Sequence, residues 1–155
     1  MEFFYAIEGK MFISDRYYKV YIKEKELWLG QIGRQLYGMK QLSGKSIVLN
    51  ILFSLFRRVW IVPRGKKREK ELDAISSGKL FLKKKGNVII RFDEINGVTI
   101  NELQSWHTLD ENGGTLTLKL VDGKEIQLIL EAKTSLNHVE AIFNQIPVKR
   151  IDYWW

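Results

Sequence analysis

The chain has 155 residues, 45% hydrophobic and 28% charged, with 25 Lys and Arg against 18 Asp and Glu, a net charge of +7. That length suits one domain with a sizeable core. With no cysteine there is no disulfide framework and no thiolate chemistry, which fits a reducing cytoplasm, and no apolar run reaches the ~18 residues of a membrane span.

The first sixteen residues carry Phe3, Phe4, Tyr5, Ile7, Met11, Phe12 and Ile13 and predict an early strand. Met1 and Glu2 are not a basic leader, and Glu8 and Lys10 interrupt the aromatic run, so no secretory signal is expected. Tyr18, Val20 and Ile22 then alternate with Tyr17, Lys19, Tyr21 and Lys23, the period of a strand with two unlike faces. Lys23-Glu24-Lys25-Glu26 predicts a charged turn, and residues 27–32 run back as the second arm of a hairpin. Residues 33–44 read as a third strand or a loop, with Leu36, Tyr37, Met39 and Leu42 as apolar content.

Residues 46–62 read S-I-V-L-N-I-L-F-S-L-F-R-R-V-W-I-V. On a helix, Ser46, Asn50, Ser54, Arg57 and Arg58 share one narrow stripe, and nearly all else is large and apolar. A helix so apolar around its girth is expected to be buried on more than one side, as core or subunit contact. The sharper reading lays it in a membrane interface, with Arg57 and Arg58 reaching the phosphates. Residues 63–70 predict a charged turn. Residues 69–77 predict a short helix with Leu72 and Ile75 inward and Gly78 as its left-handed stop. Residues 79–85 start apolar and end in Lys83-Lys84-Lys85, a cationic hairpin tip.

Val88, Ile90 and Phe92, then Val98 and Ile100, form two further alternating sets. Residues 103–114 read as a loop ending in Asn112-Gly113-Gly114. Leu116, Leu118 and Leu120 alternate with Thr115, Thr117 and Lys119. Asp122-Gly123 predicts a two-residue hairpin, and Ile126, Leu128 and Leu130 return. Leu136, Val139, Ile142, Phe143 and Ile146 then recur at spacings of three and four, one apolar stripe on a helix. Thr134 or Ser135 can cap it, Pro147 stops it, and an oily sheet face needs such a cover. Residues 147–155 read as a short basic and aromatic tail.

The I-R-F-D-E-I run at residues 90–95, the strand pair carrying V-D-G-K and the terminal helix together resemble the second half of bacterial pleckstrin-homology-like domains. The likeness covers residues 79–146, with a looser match at 17–33. It implies a mainly β fold with α: one domain over 1–155, a bent antiparallel barrel of seven strands closed by a C-terminal helix. The apolar helix around 46–62 then belongs to a helical and basic insertion at 46–78, and 147–155 is a tail. The resemblance implies a binding module for lipid headgroups, peptides or proteins, and fold alone does not choose among them. Lipid-binding members often hold phosphoinositides with spaced Lys and Arg on the first hairpin. Here Lys23 and Lys25 stand beside Glu24 and Glu26, a departure from that pattern.

Reactive constellations are not visible. His107 and His138 stand alone, without metal-ligand spacing. Asp93-Glu94 and Asp110-Glu111 are adjacent carboxylates, and neighbours on a strand point to opposite faces. Gly38-x5-Gly44-Lys45-Ser46 has one residue too many between its glycines for a P-loop. The expectation is a non-enzymatic binding or adaptor module that needs no cofactor and no metal.

The basicity is local. Residues 57–85 hold eleven Lys or Arg against three acids, a surplus of eight, and the rest of the chain is near neutral. Such a field attracts anionic partners. The candidate anion- or membrane-binding residues are Arg57, Arg58, Arg64, Lys66, Lys67, Arg68, Lys83, Lys84 and Lys85. The expected partner is an anionic membrane surface or a protein, with the chain in the cytoplasm at the inner face of the membrane. One rival is a nucleic-acid binder using the same bases, with Tyr17, Lys19, Tyr21 and Lys23 interleaved on one strand face. Another is a protein-interaction scaffold in which residues 46–62 form a homo-oligomer contact.

Overall fold

The computed structural model describes residues 2–9, 15–34, 47–102, 112–131, 134–147 and 151–154. Each alternating apolar set becomes a strand of one eight-stranded sheet: β1 (Phe3–Glu8), β2 (Arg16–Ile22), β3 (Glu26–Arg34), β4 (Val88–Arg91), β5 (Ile95–Asn101), β6 (Asn112–Leu120), β7 (Glu125–Glu131) and β8 (Ile151–Trp154). The spatial order is β4-β3-β2-β1-β7-β6-β5-β8, so the sheet is open and β4 and β8 are its edges. β1 to β4 form one antiparallel meander and β5 to β7 another, and the β1–β7 pairing at Ala6↔Leu130 and Ile7↔Ile129 joins them.

Helices occupy both faces, which makes the architecture mixed α/β. The apolar stripe of α4 (Leu136–Gln145) buries Val139, Ile142 and Phe143 against the inner residues of β1 to β7, among them Phe4, Val20, Leu29, Ile100, Leu118 and Leu128. Ser135 occupies the expected cap position but its side chain makes no capping bond. Thr134 instead donates its hydroxyl to the Tyr5 carbonyl at 3.3 Å, tying the start of α4 to β1. Ile146 follows the helix and is also buried, and Pro147 comes next.

A long helix lies between β3 and β4. It runs without interruption through α1 (Ile47–Phe56), a π-helical turn (Arg57–Ile61) and α2 (Val62–Asp73). At 1.5 Å per residue its axis is about 40 Å long. Residues 63–70 are therefore helix, not the expected charged turn. Pro63 carries no amide hydrogen, and its ring would crowd the carbonyl four residues back in a regular α-helix. The π turn directly ahead of it widens the ladder, with the Val62 amide donating to the Arg57 carbonyl, and the helix passes the proline.

The outer face of β2 and β3 is covered by α2 and by α3 (Gly78–Lys83). Tyr17, Tyr21, Trp28 and Ile32 pack there with Leu72 and Phe81, and Ile75 lies partly buried beside them. Gly30 makes this approach possible. A Cβ at that position would sit 3.0 Å from Leu72 Cδ1 and 3.2 Å from Tyr21 Cε2.

Four local expectations are corrected. Gly78 starts α3 and has no positive φ, so it is not the left-handed stop of the preceding helix. Leu80 and Leu82 are exposed on α3, and Lys84 and Lys85 form a helix-to-strand turn, not a hairpin tip. At Asp122-Gly123 the Gly123 amide donates to the Leu120 carbonyl and the Leu120 amide to the Lys124 carbonyl, with Gly123 at φ +84°. That is a three-residue loop with a glycine bulge, not a two-residue hairpin. Last, Ile151–Trp154 of the supposed tail is β8, parallel to β5, with the Tyr153 hydroxyl donating to Asn144 Oδ1 at 2.8 Å.

Candidate apolar helix and cationic cleft

α1 and the π turn contain no buried residue. Nine large apolar side chains stand exposed along them: Ile47, Val48, Leu49, Ile51, Leu52, Leu55, Phe56, Val59 and Trp60. This corrects the expectation of a core helix. The sheet has two faces, α4 fills one, and α2 with α3 fills the other where β2 and β3 run. α1 projects from that assembly. Among the described residues no helix is long and apolar enough to cross a membrane.

α2 is anchored by a polar network that the sequence reading missed. Lys19 on β2 is 5% exposed, and its Nζ donates to Glu69 Oε1 at 3.0 Å and to Asp73 Oδ1 at 2.9 Å. The Tyr5 hydroxyl donates to Glu69 Oε1 at 2.6 Å and the Tyr21 hydroxyl to Asp73 Oδ1 at 2.8 Å. Lys19 Nζ also lies 4.2 Å from the centre of the Phe3 ring. Burial works against the Lys19 ammonium. Its hydrogen bonds to Asp73 and Glu69 outweigh that penalty and hold its pKa above the ordinary lysine value. Burial, then the bond to Asp73, pushes the Tyr21 phenol far above the usual range. The Tyr17-Lys19-Tyr21 face is thus an internal surface under α2, not an open platform for bases. The signal available in the sequence was Glu69 and Asp73 one helical turn apart with Leu72 beside them, once residues 63–73 are taken as helix.

The opposite face of α2 is cationic. Arg64, Lys67, Arg68 and Glu71 line a cleft of about 260 Å³ together with Lys84 and Lys85. Lys84 Nζ donates to Glu71 Oε2 at 2.6 Å, and this bond holds the Glu71 carboxyl below the ordinary carboxylate range. Arg68 Nη2 donates to the Lys85 carbonyl at 2.5 Å, and the Arg64 guanidinium lies 5.1 Å from the Trp60 ring centre. Of the nine candidate residues, Arg64, Lys67, Arg68, Lys84 and Lys85 meet in this cleft. The others do not line it. Arg57 and Arg58 are on the π turn, Lys66 is exposed elsewhere on α2, and Lys83 is the exposed last residue of α3.

The remaining candidates serve local structure or lie elsewhere. Asp93 and Glu94 stand in a 3-10 turn (Phe92–Glu94), not on a strand. Arg91 Nη2 donates to Asp93 Oδ2, and the Arg91 amide donates to Glu94 Oε2 at 3.0 Å. Lys23 on the first hairpin lies over the Trp28 ring at 4.7 Å. His138 is on the solvent side of α4. His107, Asp110, Glu111 and the Gly38 to Ser46 stretch lie outside the described residues, among which no group of three metal-ligating side chains occurs. Compared with protein-family models, curated proteins and solved structures, the chain matches none.

Proposed function

We propose that this protein is a binding module that associates peripherally with anionic membranes, laying α1 and the π turn in the interface and setting the cations of α2 and the 84–85 turn against lipid phosphates. One observation carries the reading: nine exposed large apolar side chains on a single helix that continues directly into a cationic one. Exposed apolar area on this scale marks an interaction surface. α1 and the π turn together span about 22 Å, short of the ~30 Å hydrocarbon core, so the segment suits lying along the interface. Each basic side chain near an anionic surface adds about 1 kcal/mol, screened within a Debye length. We extend the proposal to a pleckstrin-homology-like architecture with a sheet bent towards barrel closure. Its support is the succession of a four-stranded meander, a three-stranded meander and α4.

Vesicle sedimentation tests the function. The protein should pellet with phosphatidylglycerol-containing vesicles and not with phosphatidylcholine alone, and salt should weaken the association. Replacing one cation of the set with Ala should cost about fivefold, and neutralising Lys66, Lys67 and Arg68 together roughly a hundredfold. Failure to pellet with anionic vesicles at low salt overturns the reading. A salt-dependent shift of single-stranded or duplex DNA in that case would transfer the basic surface to nucleic acid. A concentration-dependent dimer by light scattering, lost on changing α1, would transfer the apolar helix to self-association.

A further inference from the structure

The cations of the insertion are grouped, not diffuse. Arg64, Lys67 and Arg68 stand at spacings of three and four on α2 and therefore share a face. The turn after α3 brings Lys84 and Lys85 to that face, with Glu71 as the one carboxylate lining the cleft. Glu71 neutralises Lys84. Arg68 is fixed differently: its Nη2 is held by a neutral carbonyl, so its charge is left over, and its Nε is shielded from solvent without a hydrogen-bond partner. Lys67 and Lys85 have no carboxylate partner among the described residues. A buried donor without an acceptor destabilises the structure that holds it.

We infer that this cleft receives a phosphomonoester group carried by a lipid headgroup. A phosphomonoester approaches two negative charges and offers three terminal oxygens. It can therefore accept from Arg68, Lys67 and Lys85 at once, with Arg64 adding charge at the Trp60 rim. A phosphodiester in the chain of an ordinary anionic lipid has one charge and two free oxygens, and leaves part of the donor set unmatched. The lipid source follows from what flanks the cleft. Trp60 beside Arg64 is 52% exposed, and Leu80 and Leu82 on α3, just ahead of Lys84, are each 54% exposed. The inference rests on the membrane-surface reading and adds to it a discrete site with a chemical preference.

Phosphatidic acid and phosphatidylglycerol vesicles, both diluted in phosphatidylcholine and adjusted to equal zeta potential, separate site from field. The full chain should bind the phosphatidic acid vesicles about tenfold more tightly. Lys67→Gln/Lys85→Gln should abolish that preference, as should Arg68→Gln, while Lys66→Gln/Lys70→Gln should weaken both kinds of binding and keep it. Thermal melting of each variant checks that the fold persists. Soluble glycerol 3-phosphate should compete with phosphatidic acid vesicles and not with phosphatidylglycerol ones. Equal binding to the two vesicles, with no binding of soluble glycerol 3-phosphate, overturns the cleft and leaves the surface reading intact. Binding to neither overturns the surface reading itself. Tight binding of glycerol 3-phosphate without any vesicle preference overturns the lipid source.

Discussion

α1 and α4 have the same length, ten residues each, and meet opposite fates. α4 is the less apolar of the two, with Asn137, His138, Glu140, Asn144 and Gln145 among its residues, yet it buries Val139, Ile142 and Phe143. α1 is almost wholly Ile, Val, Leu and Phe and buries nothing. Arrangement explains the difference. The apolar groups of α4 lie on one arc, which fits one sheet face and leaves the polar arc for water. Those of α1 surround the axis, so no single face could satisfy them, and both covered regions of the sheet are already taken by α4 and by α2 with α3. Total hydrophobicity says that a helix wants a partner. Its distribution says whether the fold itself can be that partner.

The largest expected effect lies on the buried side of this comparison. Phe143 is 0% exposed within the main core, and Phe143→Ala should destabilise the protein by about 3–5 kcal/mol in urea unfolding. Leu52→Ala and Leu55→Ala in α1 should each change stability by less than about 0.5 kcal/mol. Equal losses at the two helices would break the contrast.

α2 stands between these extremes, since it is docked by Leu72 and by the Lys19 network together. Glu69→Gln/Asp73→Asn leaves the Lys19 ammonium covered without a counter-charge. The expected cost is about 2 kcal/mol, below that of a fully buried pair because the Asp73 side chain is 43% exposed. Adding Lys19→Met should restore much of the loss, because an apolar replacement removes the stranded charge. The same network sets a pH dependence. Lys19 and Tyr21 are both held above their ordinary values in the folded state, so the folded protein keeps those protons more tightly. Their contribution is complete below about pH 10 and declines as pH rises further. The alkaline fall in melting temperature should be steeper in the parent than in the triple variant, and parallel profiles would remove the network from the account. Gly30→Val should cost less, about 1 kcal/mol, by pressing Leu72 and Tyr21 away from β3.

The strands and α4 were legible because each carries a short-range period: Leu116, Leu118 and Leu120 at period two, Val139, Ile142 and Phe143 at helical spacing. What escaped depended on partners distant in sequence. Lys19 reads as part of an interleaved aromatic and basic strand face because its partners, Glu69 and Asp73, are about fifty residues away in the chain. Pro63 read as a helix end because the π turn that admits it has no simple residue signature. That one reading also hid the cleft, since Arg64, Lys67 and Arg68 share a face only if residues 62–73 are helical. β8 escaped because four residues give too little alternation, although Ile151 and Tyr153 do pack on the main core. Leu72 is inward as its spacing suggests, but the helix that carries it begins earlier and ends at Asp73, so Ile75 packs partly buried beyond the helix and not on it.

The smallest expected change in stability sharpens the comparison most. Ile51→Gln/Leu52→Gln/Leu55→Gln alters three side chains that are 55%, 57% and 54% exposed. Glutamine is a good helix former, so helicity should persist and the unfolding free energy should shift by no more than about 0.5 kcal/mol. Binding to anionic vesicles should respond differently. Each of these side chains gains about 1.5–3 kcal/mol on full transfer from water, so half-immersion of three should be worth roughly two to three orders of magnitude in partitioning. The protein would then keep its fold and lose its membrane. A triple variant that melts well below the parent would show instead that α1 packs against the rest of the chain in solution. The exposed apolar helix would cease to exist as a separate object, and the observation that carries the membrane reading would go with it.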